Sequence, residues 1–184
     1  MALQPKRPQW RQVCACWSGH THRVRFAGYA VGCVGRGTWR NPAWDAFQKR
    51  LADMVIVDTT VWLDYLGGLT SPHTSWLDRE LTRQRLGLTD LILCEILQGI
   101  RDDATFTQAH KDFAKFQVFS TGGVDLAVAS AQNYRSLRKR GFTVRKTIDC
   151  LIATFCIEAG HWLLHHDHDF DPFEKHLGLQ VIHP

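Results

Sequence analysis

The stretch MVIVDTTVWLDYL, Met54 to Leu66, decides the fold class of this 184-residue chain. Val55, Ile56 and Val57 form a short, unbroken apolar run, the pattern of a strand buried on both faces. Asp58 stands where that strand stops, and Thr60 to Leu66 continues as a short helix halted by Gly67 and Gly68. Ligands of open α/β sheets bind beyond the carboxyl ends of the strands, so an acid at this place faces the expected crevice.

Working outward, the same alternation repeats. Ser75 to Gln84 is expected as a helix with Trp76, Leu77 and Leu81 on one side, then Arg85 to Leu88 as a strand. A helix follows, capped by Thr89 or Asp90 and running to about Ile100. Asp103 to Lys115 is helical, Val118 and Phe119 extended, and Val124 to Lys139 helical up to Gly141. Thr147 to Ala159 carries the clearest helical period, with Ile148, Leu151, Ile152, Phe155, Cys156 and Ala159 on one stripe and Gly160 after it. Trp162 to His165 and Leu179 to Ile182 complete the strands. Short strands alternating with helices make a parallel sheet with helices on both faces, in one domain spanning residues 54–184.

Residues 1–53 read differently. They hold nine Lys or Arg against two acids, a net of +7, while the other 131 residues carry 13 bases and 16 acids, a net of −3. They contain four of the seven Trp, three of the six Cys and the Gly-rich run GYAVGCVGRG, without a sustained apolar period. The foremost reading is a basic N-terminal extension, disordered or mis-annotated, with translation starting at Met54. A Trp-bearing basic tail that holds RNA is a second reading. A metal knuckle from Cys14, Cys16, His20, His22 and Cys33 is a third, although CxC followed by HxH is not a usual zinc spacing. The sequence holds no apolar run of the length that a secretory leader or a membrane span requires, so neither is expected. Cys94, Cys150 and Cys156 sit in apolar helical patterns and are expected as buried free thiols in a reducing cytoplasm.

The chemistry-bearing positions are acids. Glu95 interrupts the apolar helix DLILCEILQGI, either as part of a solvated stripe with Gln98 or as a buried carboxylate that needs a cation. Asp149 lies in the first turn of the Thr147 helix, beside Ile148, where the helix dipole favours an acid and the edge of the core is close. The run HHDHDF, His165 to Phe170, follows a strand and reads as a polar turn, as a zinc site, or as a source of carboxylates. If the strands before Asp58 and Asp167 are neighbours, those acids and Asp149 converge. Oxygen ligands in such a group suit Mg²⁺ or Mn²⁺, and a dication among crowded carboxylates points to phosphodiester hydrolysis.

VIVDTTVWLDYL, LILCEILQGI, TIDCLIA and LLHHDHDF, in this order and spacing, resemble the PIN-domain ribonucleases of the VapC toxin family over about Met54 to Pro184. The resemblance implies a three-layer α/β/α fold with a central short-stranded parallel sheet. It also implies Mg²⁺- or Mn²⁺-dependent endoribonuclease activity on RNA, a homodimer in the cytoplasm, and a cognate VapB-type antitoxin. On the family pattern Asp58, Glu95, Asp149 and Asp167 are the catalytic acids, with Asp58, Asp149 and Asp167 toward the metal. Asp169 is an alternative or auxiliary to Asp167, and Thr60 is the small hydroxyl residue two places after the first acid. Arg101, Arg145 and Lys146 are local bases able to meet phosphates or to serve as ordinary surface charges. Two other functions compete: a catalytically silent PIN-like module that binds RNA or protein, and a DxDxT-type phosphatase, against which Thr60 stands where an Asp is required.

Overall fold

Val55–Val57 forms β1, and all three residues are buried because the strand is flanked on both sides. It pairs in parallel with β2 (Leu86–Thr89) on one edge and with β4 (Trp162–Leu164) on the other. β3 (Gln117–Phe119) joins β2 and β5 (Gln180–Val181) joins β4, giving a five-stranded parallel sheet of order β3-β2-β1-β4-β5. The structure is a computed structural model that describes residues 54–184. The three readings of residues 1–53, including the Cys14, Cys16, His20, His22 and Cys33 knuckle, lie outside the described residues.

Seven α-helices connect the described strands: α1 (Thr59–Leu66), α2 (Pro72–Glu80), α3 (Asp90–Gln98), α4 (Asp103–Phe113), α5 (Val124–Lys139), α6 (Thr147–Ala159) and α7 (Asp171–Leu177). Right-handed crossovers from β1 to β2 to β3 place α1–α4 on one face, and the reversed progression from β3 to β4 to β5 places α5–α7 on the other. The contacts follow this division: α1 meets α2 and α3, α3 meets α4, and α5 meets α6 and α7. The result is the expected three-layer α/β/α arrangement around a core of Ile56, Leu88, Ile92, Ile96, Ile152 and Leu163, each fully buried. No helix among the described residues is long and apolar enough to cross a membrane.

The helix boundaries follow their caps more closely than their apolar periods. α2 begins at Pro72, not Ser75, because Ser71 and Thr74 cap each other reciprocally and Pro72 suits the first helical position. The apolar signal of Trp76, Leu77 and Leu81 lies late in that helix and drew the sequence expectation toward its end. α7 was not expected; its seven residues bury only Phe173, too few positions for a period to show. Cys150 and Cys156 are buried as expected, but Cys94 is exposed. On α3 the inward positions are Ile92 and Ile96, and Cys94, midway between them, is turned to the opposite side.

Gly87 shows how tightly the sheet closes. A Cβ there would sit 2.7 Å from the Met54 sulfur and 3.1 Å from the Gln117 carbonyl oxygen. The methionine can move, but the strand carbonyl cannot do so cheaply. Gly87→Ala is expected to destabilise the fold by roughly 1–3 kcal/mol through overpacking, measurable as a lowered midpoint in urea with an unchanged slope.

Candidate metal centre

β1 and β4 are adjacent, so the chain segments that leave their carboxyl ends are forced together. The Asp58 amide donates to the Leu164 carbonyl at 2.9 Å, which extends the β1–β4 ladder by one step. The Asp58 side chain is only 3 % exposed and caps α1. Its Oδ2 accepts from the Thr60 amide at 3.0 Å and the Thr60 hydroxyl at 2.7 Å. That hydroxyl oxygen in turn accepts from the His166 amide at 3.3 Å, tying the loop after β4 to the start of α1. Burial raises the Asp58 pKa more than the Thr60 and Thr59 hydrogen bonds lower it, and the charge of Glu95 adds to the rise.

Across the switch point, Asp149, Asp167 and Asp169 each place a carboxylate oxygen within 4.8 Å of the others. Asp149 comes from the first turn of α6 and is 4 % exposed, deeper than the edge position its sequence neighbours indicated. α6 is apolar nearly all round, and its buried face runs through Asp149, Ile152, Ala153 and Cys156, so Leu151 and Phe155 are only partly buried. Asp167 caps a 3-10 turn, His168–Phe170, accepting the Asp169 amide at 3.0 Å. Within this group the ligands are carboxylates, and no histidine of HHDHDF joins them; the buried His165 ring lies against Phe170, centroids 4.9 Å apart. Of the four expected acids, Asp149 and Asp167 are thus brought into one group together with Asp169. Asp58 lies close enough for its charge to raise the Asp149 pKa, although it is outside the 4.8 Å group.

Glu95 is half-buried on α3 and accepts a 2.6 Å hydrogen bond from the Thr59 hydroxyl. This contact joins residues 36 positions apart, and Glu95 stands between the two expectations: it is half-buried, and the hydrogen-bond partner it has found is a neutral hydroxyl. Thr59 was missed by sequence reasoning; a β-branched hydroxyl beside the more prominent Thr60 gives no signal of which acid it serves.

Two bases enter the cluster. Lys146 places its ammonium 3.4 Å from Asp167 Oδ2 and 3.9 Å from Asp149 Oδ2. Arg145 Nε lies 3.4 Å from Asp169 Oδ1, and its amide donates to Oδ2 at the same distance. Asp149 above all, then Asp167, raises the Lys146 pKa against the opposing effect of burial. Asp167 titrates below its ordinary value: burial would raise it, but the Asp169 amide and Lys146 together outweigh that. Asp149 is pushed up to about 7, chiefly by burial, with Asp58, Asp167 and Asp169 adding to the rise and Lys146 opposing it. Its Oδ2 is buried without a hydrogen-bond partner. A buried carboxylate oxygen without a hydrogen bond, in an all-oxygen group, fits a hard dication such as Mg²⁺ or Mn²⁺, with Asp149, Asp167 and Asp169 as the residues that would hold it.

A family model described as the PIN domain matches residues 55–175. Ribonuclease VapC11 of Mycobacterium tuberculosis is 33% identical over 133 residues, covering 70% of this chain and 97% of that protein. A VapC ribonuclease of Mycobacterium bovis matches with the same identity and coverage. Among solved structures, VapBC2 from Rickettsia felis, bound to a DNA fragment from its promoter, superposes with a TM-score of 0.57 at 12% identity, covering 70% of this chain and 97% of that one. That likeness concerns the fold.

The titration of Asp149 carries a sign that can be checked. Its folded pKa of about 7 lies above the ordinary 3.8, so between those values the folded protein binds more protons than the unfolded chain. Stability of the metal-free protein is therefore expected to fall as pH rises from about 4 through about 7. Thermal melts in EDTA should show this decline, Asp149→Asn should flatten it, and added Mg²⁺ should raise the midpoint more at pH 8 than at pH 5.

Proposed function

The chain belongs to the PIN-domain family and, within it, to the VapC ribonucleases, and on that premise we propose that it is a metal-dependent endoribonuclease, the toxin of a type II toxin–antitoxin pair. The observation that carries the metal dependence is the convergence of the Asp149, Asp167 and Asp169 carboxylates at the carboxyl end of the sheet, one Asp149 oxygen being buried without a hydrogen bond. When bound there, Mg²⁺ or Mn²⁺ supplies a Lewis acid that activates water and offsets the charge developing on a phosphodiester.

The protein's own groups set the geometry. Asp149, Asp167 and Asp169 would hold the dication, with Asp58 supporting them from the end of β1. Thr60, by binding one Asp58 oxygen through both its amide and its hydroxyl, fixes the rotamer of that acid. Thr59 holds Glu95 by Oε2, leaving Oε1 to accept a proton from the attacking water. The single domain at 54–184 suffices for this chemistry: the family match begins at Val55, and Met54 is 4 % exposed with its carbonyl accepting the Trp162 amide. A VapB-type antitoxin as partner, supported by the likeness to VapC proteins and to a VapBC complex, belongs to the same reading, and a homodimer in the cytoplasm is what the family resemblance implies.

Purified protein with Mg²⁺ or Mn²⁺ is expected to cut RNA internally, and EDTA to stop it. Asp149→Asn should lower the rate by at least about 10²-fold with the circular dichroism spectrum unchanged. Thr59→Val should cost roughly 10–100-fold, as loss of a supporting hydrogen bond does. Full activity in the Asp149→Asn protein would refute the assignment.

A further inference from the structure

The bases at the mouth of the site are not equivalent. Arg145 is 78 % exposed at its side chain and reaches only Asp169, whereas Lys146 reaches two acids of the cluster, including the Asp149 oxygen that lacks a hydrogen-bond partner. Lys146 also occupies the N-cap position of α6, where an ammonium has no acceptor to offer the free amides, so its contact with the helix is the Asp149 ion pair. Its flexible four-carbon stem is 57 % exposed, which leaves the ammonium free to move into solvent without repacking.

We propose that Lys146 is the resident counter-cation of the carboxylate cluster, that an entering dication displaces it, and that its ammonium then meets the phosphate of the bound RNA. An ammonium 3.4 Å from Asp167 and 3.9 Å from Asp149 is paired with two of the three carboxylates a dication would use. The two cations cannot share them, because like charges at that separation repel strongly in a partly buried site. Once displaced, the ammonium remains tethered one residue before α6, beside the site, within reach of a bound phosphate and under the residual pull of Glu95. Lys146 is thus a positioning residue with two alternating anionic partners. The inference rests on the nuclease reading for its second partner only; the first is independent of RNA.

The test uses the full chain with Lys146→Met and Lys146→Arg, their folding verified by far-UV circular dichroism and Lys146→Gln held as a second neutral variant. In calorimetric titrations with Mn²⁺ and no RNA, Lys146→Met should bind the metal roughly tenfold more tightly than the unaltered protein, and Lys146→Arg should return toward the unaltered value. Unchanged or weaker Mn²⁺ binding by Lys146→Met overturns the counter-cation role. With Mn²⁺ saturating, anisotropy of a labelled 2′-O-methyl RNA oligonucleotide gives the dependence of log affinity on log salt. The slope should be shallower by about 0.7 in Lys146→Met, the loss of one phosphate contact. Coincident slopes, or no RNA binding by the unaltered protein, overturn the phosphate role. An unaltered protein that binds Mn²⁺ and cuts no RNA refutes the nuclease reading while the Mn²⁺ titration still decides the first role.

Discussion

The parallel pairing of β1 with β4 is the constraint on which the rest of the structure depends. Val55, Ile56 and Val57 align with Trp162, Leu163 and Leu164, and the Asp58 amide continues the ladder to the Leu164 carbonyl. The order in which strands are added reverses at this pair, so the connections before β2 and after β4 lie on opposite faces and leave a crevice between them. Because the strands are parallel, both of their carboxyl ends open into the same crevice. α6 runs back along the sheet into β4, which puts its first turn, and Asp149 with it, at that same end.

What gathers there is electrostatically unfavourable on its own. Taking a carboxylate out of water costs several kcal/mol, and these acids also repel one another. The fold offsets part of this locally, through the Thr60 hydroxyl and amide on Asp58, the Asp169 amide on Asp167 and the Thr59 hydroxyl on Glu95. The remainder falls to cations, with Lys146 and Arg145 at the rim and Asp149 driven toward its protonated form. Among the described residues the acids outnumber the bases that reach them, a balance that suits a dication. Its cost to stability is localised, because Ile152 and Cys156 behind Asp149 remain fully buried in an ordinary apolar core.

Legibility in the sequence followed the kind of signal each element carries. β1, α5 and α6 were readable to the residue or nearly so, because an unbroken Val-Ile-Val run and long apolar repeats ended by Gly leave little freedom. α2 was displaced because its start is set by polar reciprocity between Ser71 and Thr74, to which an apolar period is blind. α7 was too short to show a period at all. Cys94 was placed in the core on the apolarity of its neighbours, yet a helix buries one side, and Ile92 with Ile96 defines it. In the site, the acids stood out as charged residues in apolar surroundings or at strand ends. Thr59, by contrast, became visible only through its contact with Glu95, and Lys146 and Arg145 were indistinguishable from surface charge.

The sequence by itself determined the class of the fold, the end of the sheet where chemistry would occur, and the acids available for it, since these follow from local apolar patterns and from where each pattern stops. It could not choose between Asp167 and Asp169, decide whether Glu95 was buried, or say which bases face the acids. What these groups meet is decided by contacts between residues distant in the chain, Thr59 with Glu95, the His166 amide with Thr60 and Lys146 with Asp167, while Asp167 and Asp169 both join the group around Asp149. The physical reason is that a local pattern encodes which face of an element is apolar. Which polar groups then meet across the crevice depends on strand order and register, and those exist only once the sheet has closed.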